Sequence, residues 1–234
     1  MATFTERLSK LEKPEEFADW LWGSLAELYL VNGNRINHNS EIYIFELINS
    51  ADDPVDALSM AYNQYVPSYN QSSFRQAIGI ALRKCTKTED PKVFNIVDDL
   101  TYLISNTKAT EALDGLLETV SNKYIAENHN RILYNILSIL PGLGPSDKVF
   151  DVTYNLVNSP FFDDGYIFAA IGVMIGCKPN DCLKIVDEFG EKIQRLYGAV
   201  HGIKEEETAY WEAVNQCTTK YPTVKKRIRS FSKV

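Results

Sequence analysis

The feature that most constrains the fold is an uncharged stretch of thirteen residues, positions 165–177, in the last third of the chain. Two aspartates precede this stretch, and Lys178 and Pro179 follow it. A helix that crosses a bilayer needs about 20 apolar residues, so this stretch is too short to span a membrane. It is long enough for a helix that is buried on nearly all sides in a large helical protein. We therefore predict a buried helix at positions 165–177.

A polar turn and a second helix are expected directly after this buried helix. Residues 179–181 read Pro-Asn-Asp, a combination that ends one helix and starts the next. Apolar residues then recur at helical spacing, at Leu183, Val186, Gly190, Ile193 and Tyr197. The predicted unit is a buried helix, a tight polar turn and a half-exposed amphipathic helix.

Apolar residues at helical spacing recur along the rest of the chain, and no convincing strand is found beside them. The stripes are Phe17, Leu21, Leu25 and Leu28; Val55, Leu58, Tyr62 and Tyr65; Phe74, Ile78, Leu82 and Cys85; Val93, Val97, Leu100 and Ile104; Leu113, Leu116, Val120 and Tyr124; Ile132, Ile136 and Leu140; and Val149, Val152 and Leu156. Prolines, aspartates and a serine at positions 14, 53–54, 90–91 and 145–147 mark helix starts. The prediction is an all-α chain of about twelve helices in antiparallel pairs.

Loops and the remaining helices follow from turn-forming residues. Residues 32–40 are predicted to form a loop and residues 42–48 a short helix. Residues 205–216 and 223–231 should form a final helix pair after a loop at 198–203.

Trp20 and Trp22 lie off the centre of the first apolar stripe, so at least one of them should contact a neighbouring helix or a partner.

The helix pairs align with one another as an internal repeat. Residues 91–100 can be aligned with residues 147–156 over ten positions, and an Ile-Gly pair with a following cysteine occurs in both preceding helices. Val93, Val149 and Leu183 occupy the same position in the second helices. Units of roughly 34–40 residues, with two helices and Pro or Asp at the turn, resemble the HEAT and armadillo repeats of α-solenoids.

The resemblance covers about residues 53–233 and implies a curved stack of helix pairs. An irregular α-helical bundle is the alternative. Residues 1–234 are predicted to form a single all-α domain, with acidic N-terminal helices at 1–50 and helical repeats at 53–233.

The net charge of −7 is concentrated in the first part of the chain. Residues 1–60 hold 11 acidic and 4 basic residues, a difference of −7, whereas residues 181–234 hold 8 acidic and 10 basic residues, a difference of +2. The basic residues near the end cluster at 225–229. An acidic surface attracts a basic partner and repels a nucleic-acid backbone. The alternative is a charge that keeps the chain soluble, with a basic last turn that the helix dipole favours.

The sequence contains no recognisable constellation for catalysis, metal binding or cofactor binding. Cys177 and Cys182 are the only closely spaced cysteines, without a second pair at the spacing of zinc ligands. The three histidines each stand alone, in or next to loop sequence. The glycines of residues 141–145 lack the Lys-Ser/Thr of a phosphate-binding loop. We therefore expect no metal, no cofactor and reduced, structural cysteines.

Aligned positions on the second helices give a candidate binding surface, if these helices line the concave face as in the solenoids that the chain resembles. Asp98, Tyr154 and Glu188 coincide in the alignment. Tyrosine is abundant, with 13 copies, and binding surfaces are enriched in it. The predicted partner-binding residues are Asn95, Asp98, Tyr102, Asp151, Tyr154, Asp187 and Glu188. Together they would form an acidic groove that carries tyrosines.

Three classes of function are compatible with these features. The first is a non-enzymatic helical-repeat protein that binds a basic protein partner, for example an immunity-type inhibitor that sequesters a toxin such as a nuclease. The second follows from a resemblance in architecture to HEAT-like alkylpurine DNA glycosylases, which implies a basic concave face that the charge pattern disfavours. The third is a regulatory domain that binds a small ligand near residues 32–40. We favour the first, in the cytoplasm, because no signal peptide or membrane span is recognised.

Overall fold

The computed structural model describes residues 8–30, 53–128 and 130–232. These ranges contain thirteen α-helices and five short 3₁₀ turns, and no strand is found among them. The prediction of an all-α fold is confirmed. The predicted loop at 32–40 and the predicted helix at 42–48 lie outside the described residues.

The chain divides into two compact units, Met1–Leu143 and Gly144–Val234. The helices of the first unit are α1 (Pro14–Tyr29), α2 (Pro54–Tyr65), α3 (Gln71–Cys85), α4 (Val93–Thr107), α5 (Leu113–Ser121), α6 (Lys123–Asn128) and α7 (Asn130–Ile139). Those of the second unit are α8 (Asp147–Asn158), α9 (Ile167–Cys177), α10 (Cys182–Glu188), α11 (Gly190–Val200), α12 (Lys204–Thr218) and α13 (Pro222–Phe231).

Several helices begin at the residues that the sequence marks as helix starts. Pro14, Pro54 and Pro222 each occupy the first position of a helix, where the missing N–H costs nothing. Asp53 caps α2 by accepting a hydrogen bond from the backbone N–H of Asp56 at 2.7 Å. Ser146 caps α8 in the same way through the N–H three residues later, at 3.1 Å. The predicted starts at 14, 53–54 and 145–147 are confirmed, whereas α4 begins at Val93, after the predicted start at 90–91, and the helix predicted from residue 223 begins at Pro222.

The first unit packs its helices in two layers. Helices α1, α3 and α5 pack side by side in one layer, and α2, α4 and α7 in the other, with α4 against α1 and α3. Phe74 on α3 is fully buried and its ring lies 5.5 Å from that of Phe17, 6.3 Å from that of Trp20 and 5.3 Å from that of Tyr62. The expected contact of Trp20 with a neighbouring helix is therefore confirmed.

Helices α3 and α5 approach so closely that their backbones touch. A Cβ atom added to Gly115 would lie 2.5 Å from the carbonyl oxygen of Gly79 and 2.7 Å from its Cα. Real Cβ atoms essentially never come this close to backbone. Beside this crossing, Arg75 on α3 donates through Nε to both carboxylate oxygens of Glu111, at 2.9 and 3.0 Å. Glycine at both positions is what allows the two helices to cross here.

The second unit is organised around α9, which packs against α8, α10 and α12, while α13 packs against α10, α11 and α12. The helix begins at Ile167 and buries six side chains. Ala169 and Gly176 on its remaining edge are exposed. The prediction of a helix buried on nearly all sides is wrong in this respect, because the apolar stretch contains small residues that can face solvent at little cost.

The amphipathic helix predicted from Leu183 to Tyr197 is in fact two helices, α10 and α11, which meet at Phe189. Leu183, the aligned counterpart of Val93 and Val149, is 44% exposed, whereas both valines are buried. At the break, Phe189 has the non-helical dihedrals φ −100° and ψ 15°, and Gly190 packs against the ring of Phe231, which a Cβ there would approach to 2.8 Å.

The two Ile-Gly pairs of the predicted repeat occupy similar positions in the two units. Gly79 on α3 faces Ala112, the last residue of the 3₁₀ turn before α5. Gly172 on α9 faces α12, where a Cβ would lie 3.5 Å from Cys217 Cβ. This packing is compatible with the class of helical-repeat proteins. The curved HEAT-like stack stays a prediction, as does the single domain.

Candidate functional site

The predicted partner-binding residues are divided between the two units. Asn95, Asp98 and Tyr102 lie on α4 of the first unit. Asp151 and Tyr154 on α8, and Asp187 and Glu188 on α10, lie in the second. The predicted residues thus comprise one set on α4 and one set on α8 and α10.

Asp98 in the first unit is a buried residue that holds two helices together. Its side chain on α4 accepts hydrogen bonds from Asn135 Nδ2 at 3.0 Å and from Arg131 at 3.2 Å, both on α7. Only 7% of Asp98 and 5% of Asn135 are exposed to solvent. A partner would find little of this carboxylate to bind, because its charge is already matched by Arg131.

The neighbouring Asn95 and Tyr102 are exposed and share one face of α4. Tyr102 is 41% exposed, which is high for so large a ring. Asp99 lies between them, four residues after Asn95 and three before Tyr102, so all three are on the same stripe of the helix. The structure thus leaves two of the three predicted residues of this unit at the surface.

The carboxylate of Asp99 is in an unfavourable environment for its charge. Burial, together with the negative charges of Asp98 and Asp53, raises its pKa to about 6. The hydroxyl of Tyr29 on α1 donates a hydrogen bond to Asp99 Oδ2 at 2.7 Å, and this bond lowers the pKa of Asp99, against the effect of burial. The pKa of Tyr29 is itself raised by burial and by this carboxylate, so the phenol stays a donor.

Asp99→Asn is expected to make the protein more stable at pH 7, and to leave it unchanged at pH 4. The pKa of Asp99 is higher in the folded state than in an unfolded chain, so the folded state holds more protons between about pH 4 and about pH 6. Wild-type stability therefore falls as pH rises through this window. Asparagine carries no charge, so the cost of burying an ionised carboxylate disappears, and its amide oxygen can still accept the hydrogen bond from Tyr29. We expect the free energy of unfolding at pH 7 to rise by about 1–2 kcal/mol, after allowance for partial exposure.

Urea denaturation from pH 4 to pH 8 measures this difference, and Tyr29→Phe provides the matched variant. Loss of the Tyr29 hydroxyl removes the hydrogen bond that stabilises the ionised form. The midpoint of the Asp99 titration, followed by carboxyl carbon NMR shifts, should then move to higher pH. If wild type and Asp99→Asn were equally stable across the whole pH range, the pKa of Asp99 would not be raised in the folded state.

In the second unit, Tyr154 is held in place by aromatic rings and by a hydrogen bond. Its ring stacks on that of Phe150, with centroids 6.0 Å apart, and lies 6.0 Å from that of Phe189. Its hydroxyl donates to Glu188 Oε1 at 2.5 Å, and this bond raises the pKa of Tyr154. Tyr154 and Glu188 therefore join α8 to α10 with a fixed tyrosine ring between them.

The other two predicted residues of this unit differ in their surroundings. Asp187 forms an ion pair with Arg227 on α13, with its Oδ1 2.5 Å from Arg227 Nε. Asp151 is exposed on α8, one turn before Tyr154. We call Asp151, Tyr154 and Glu188 the α8–α10 face. It carries two exposed carboxylates and a tyrosine whose orientation is set by its neighbours.

Three of the predicted residues, Asp98, Tyr154 and Asp187, make contacts within the protein. Asp98 on α4 contacts α7, Tyr154 on α8 contacts α10, and the residue beside Glu188 contacts α13. Each contact links one helix to another helix of the same unit. These residues therefore hold helices of their own unit together, and only some of them remain available at the surface.

One polar cluster was missed by the sequence reasoning. The hydroxyl of Tyr197 lies 2.9 Å from His201 Nδ1 and donates to Glu207 Oε1 at 3.4 Å. Glu207 also accepts from the backbone N–H of Gly202, which lowers its pKa. Trp211 lies beside this cluster, in a shallow groove of about 380 Å³. Because the cluster spans the turn between α11 and α12, the helical spacing of the sequence gave no signal for it.

The cysteines behave as the sequence predicts for structural thiols. All four lie within the described ranges and are free. Burial raises the pKa of Cys85 and of Cys217 to about 12, so both remain protonated and poorly reactive. Of the histidines, only His201 is described, since 38 and 129 lie outside the described residues.

The described residues contain neither a metal site nor a membrane-spanning helix. No group of three or more His, Cys, Asp or Glu side chains could hold a metal ion. No helix there has both the length and the apolar character needed to span a membrane. No family model, curated protein or solved structure matches the chain.

Proposed function

We propose that this chain is a non-enzymatic, helical-repeat protein that binds a basic protein partner in the cytoplasm, and that the α8–α10 face is part of its contact surface. The observation that carries the proposal is the fixed ring of Tyr154 between the exposed carboxylates of Asp151 and Glu188. This combination suits a lysine or arginine side chain, which can contact the ring and pair with a carboxylate.

The restraint on Tyr154 is what makes this face suited to binding. A side chain that is already held by Phe150, Phe189 and Glu188 loses little conformational freedom when a partner contacts it. Tyrosine also supplies a large contact area with a polar tip. Asp187 contributes less, because Arg227 already neutralises its charge.

The net negative charge of the chain also favours a basic partner. Net charge and charge complementarity act mainly on the rate of association and on the choice of partner. An inhibitor that sequesters a basic toxin is one concrete form of this function, because such inhibitors work by covering the partner's surface rather than by chemistry. In this proposal, Asn95 and Tyr102 on the first unit form a second, uncharged contact surface.

A double charge reversal on the α8–α10 face is the test of this proposal. The partner is first identified by co-purification with the wild-type chain and then titrated, as a purified protein, against Asp151→Lys/Glu188→Lys. We expect the affinity to fall at least tenfold, because attraction of the partner becomes repulsion. Tyr154→Ala should weaken binding further than Tyr154→Phe, which keeps the ring.

The matched control reverses two acids elsewhere in the same unit. Glu205 and Glu206 are exposed in the first turn of α12, and Glu205→Lys/Glu206→Lys changes the net charge by the same amount. This control should bind the partner within about twofold of wild type, apart from a change in association rate. Equal affinities for the control and for the α8–α10 variant would exclude this face as the contact surface.

A further inference from the structure

Along α8, a carboxylate and an aromatic ring occur three residues apart on two successive turns. Asp147 and Phe150 form the first pair, and Asp151 and Tyr154 form the second pair, four residues further on. The two rings stack on each other with their centroids 6.0 Å apart. Because four residues make about one helical turn, both pairs lie on the same side of α8.

The first pair binds a cation that the chain itself supplies. The ammonium of Lys178, which directly follows α9, lies 4.0 Å from the centroid of the Phe150 ring. The same Nζ is 3.5 Å from Asp147 Oδ1. A ring and a carboxylate three residues apart on α8 therefore hold one ammonium group, through a cation–π contact and an ion pair together.

Phe162 in the same unit takes part in the same kind of contact. Lys192 Nζ lies 5.7 Å from the centroid of this ring and 3.1 Å from Asp164 Oδ1. The second pair on α8 differs from these two cases. Among the described residues, Asp151 forms no ion pair, and no cation lies over the ring of Tyr154. This pair can therefore offer a partner the contacts that the other two rings make within the chain.

We infer that Asp151 and Tyr154 form a site for a single lysine side chain of the partner. The ammonium of this lysine lies over the Tyr154 ring, as that of Lys178 lies over Phe150. Glu188, which accepts a hydrogen bond from Tyr154, adds a second negative charge beside the ammonium. The inference rests on the proposed function of the α8–α10 face, and it specifies the chemical group that this face recognises.

The surroundings of the site favour lysine over arginine. Arginine gains most where it makes two parallel hydrogen bonds to one carboxylate and stacks on an open ring. Glu188 Oε1 is already used by the hydroxyl of Tyr154. The rings of Phe150 and Phe189 flank the Tyr154 ring, each with its centroid 6.0 Å away. A compact ammonium needs only one ring face and one carboxylate oxygen, as the contacts of Lys178 illustrate.

Titration of the full chain with blocked tripeptides, followed by two-dimensional amide NMR, tests the inference without the natural partner. The probes are acetyl-Gly-Lys-Gly-amide and its arginine and norleucine counterparts, at equal ionic strength; norleucine has a stem of similar length without the charge. The lysine peptide should shift the amide signals of Asp151 and Tyr154 saturably, with a Kd on the order of 10–100 mM. The arginine peptide should bind at least about twofold more weakly, and the norleucine peptide should give no saturable shift.

Two variants provide matched controls. Asp151→Asn removes an exposed charge and should raise the Kd of the lysine peptide at least about threefold. Lys178→Ala frees Asp147 and Phe150, so the lysine peptide should then also shift the signals of these two residues, with a Kd of the same order. The amide spectrum of each variant without peptide shows whether it is folded.

Three results would overturn the inference. The first is a wild-type chain that binds the lysine and arginine peptides equally, or binds neither. The second is an Asp151→Asn variant with the wild-type Kd for the lysine peptide. The third is a folded Lys178→Ala variant that gains no second site.

These outcomes can be distinguished from failure of the proposed function. If the Asp151→Lys/Glu188→Lys variant loses the natural partner while the peptides show no preference for lysine, the proposed contact surface stands and the lysine site is overturned. If the lysine peptide binds as expected while charge reversal leaves the partner's affinity unchanged, the proposed function fails and the lysine site remains.

Discussion

Gly115→Ala is expected to destabilise the Met1–Leu143 unit by about 3 kcal/mol or more, which places it among the most damaging single substitutions. The added Cβ would lie 2.5 Å from the carbonyl oxygen of Gly79. The atom that it meets belongs to the backbone of α3, which cannot rotate away as a flexible side chain could. Helices α3 and α5 would have to separate, and the contact between the two would be lost.

Two other glycines of the same unit provide a graded comparison. A Cβ on Gly79 would lie 3.1 Å from Ala112 Cα, so Gly79→Ala should cost less than Gly115→Ala. Gly23 in the middle of α1 has open space around it, so Gly23→Ala should stabilise the helix by about 0.5–1 kcal/mol. The expected order of stability is therefore Gly23→Ala, wild type, Gly79→Ala and Gly115→Ala.

Urea denaturation followed by tryptophan fluorescence measures this order. The chain has three tryptophans, and Trp211 is the one in the second unit. In a Trp211→Phe background the remaining two are in α1, so the signal reports on the first unit. A Gly115→Ala variant as stable as wild type would show that α3 and α5 do not touch at these glycines.

Asp98→Ala is expected to have the second largest effect, a loss of about 2–3 kcal/mol. The substitution removes a buried acceptor that Asn135 and Arg131 both use. It leaves the buried amide of Asn135 without that partner, and an unsatisfied buried donor costs about 1–3 kcal/mol. Arg131→Ala should cost less than about 1 kcal/mol, because the arginine side chain is 69% exposed.

A double-mutant cycle separates this contact from general damage to the fold. Asn135→Leu removes the amide, so the double variant Asp98→Ala/Asn135→Leu leaves neither polar group buried and unsatisfied. It should therefore be more stable than the sum of the two single losses predicts. Strictly additive losses would show that the two side chains are not coupled. Reversing the charge at Asp98 would also destabilise the fold, so this substitution is unsuitable as a test of partner binding.

Local sequence chemistry accounts for most of the fold. Helix starts were predicted from single residues such as Pro14, Asp53 and Ser146, because capping and the proline ring act within one turn. Apolar stripes on α3 and α4 were predicted because a 3.6-residue period directly reflects one buried face. The division at Phe189 was not predicted, because the apolar period continues through Phe189 and Gly190 without a proline or a polar turn to mark a break.

The candidate site was predicted less completely than the fold. Alignment of the repeats placed Asp98, Tyr154 and Glu188 at equivalent positions, but alignment cannot distinguish exposed from buried positions. Whether such a carboxylate is at the surface depends on the opposing helix, which supplies Arg131 and Asn135 in one case and Tyr154 in another. The pKa of Asp99 likewise depends on tertiary packing, since burial raises it and the hydrogen bond from Tyr29, seventy residues away, opposes that rise.

The layered packing also has a consequence for how the chain folds. In each unit the main contacts join helices that are at most three elements apart in the sequence. Contacts between segments that are near each other in the sequence favour fast folding, because less chain entropy is lost in bringing them together. The first unit has all of its own contacts once residue 143 is made. It can therefore complete its folding during synthesis, before the second unit has left the ribosome.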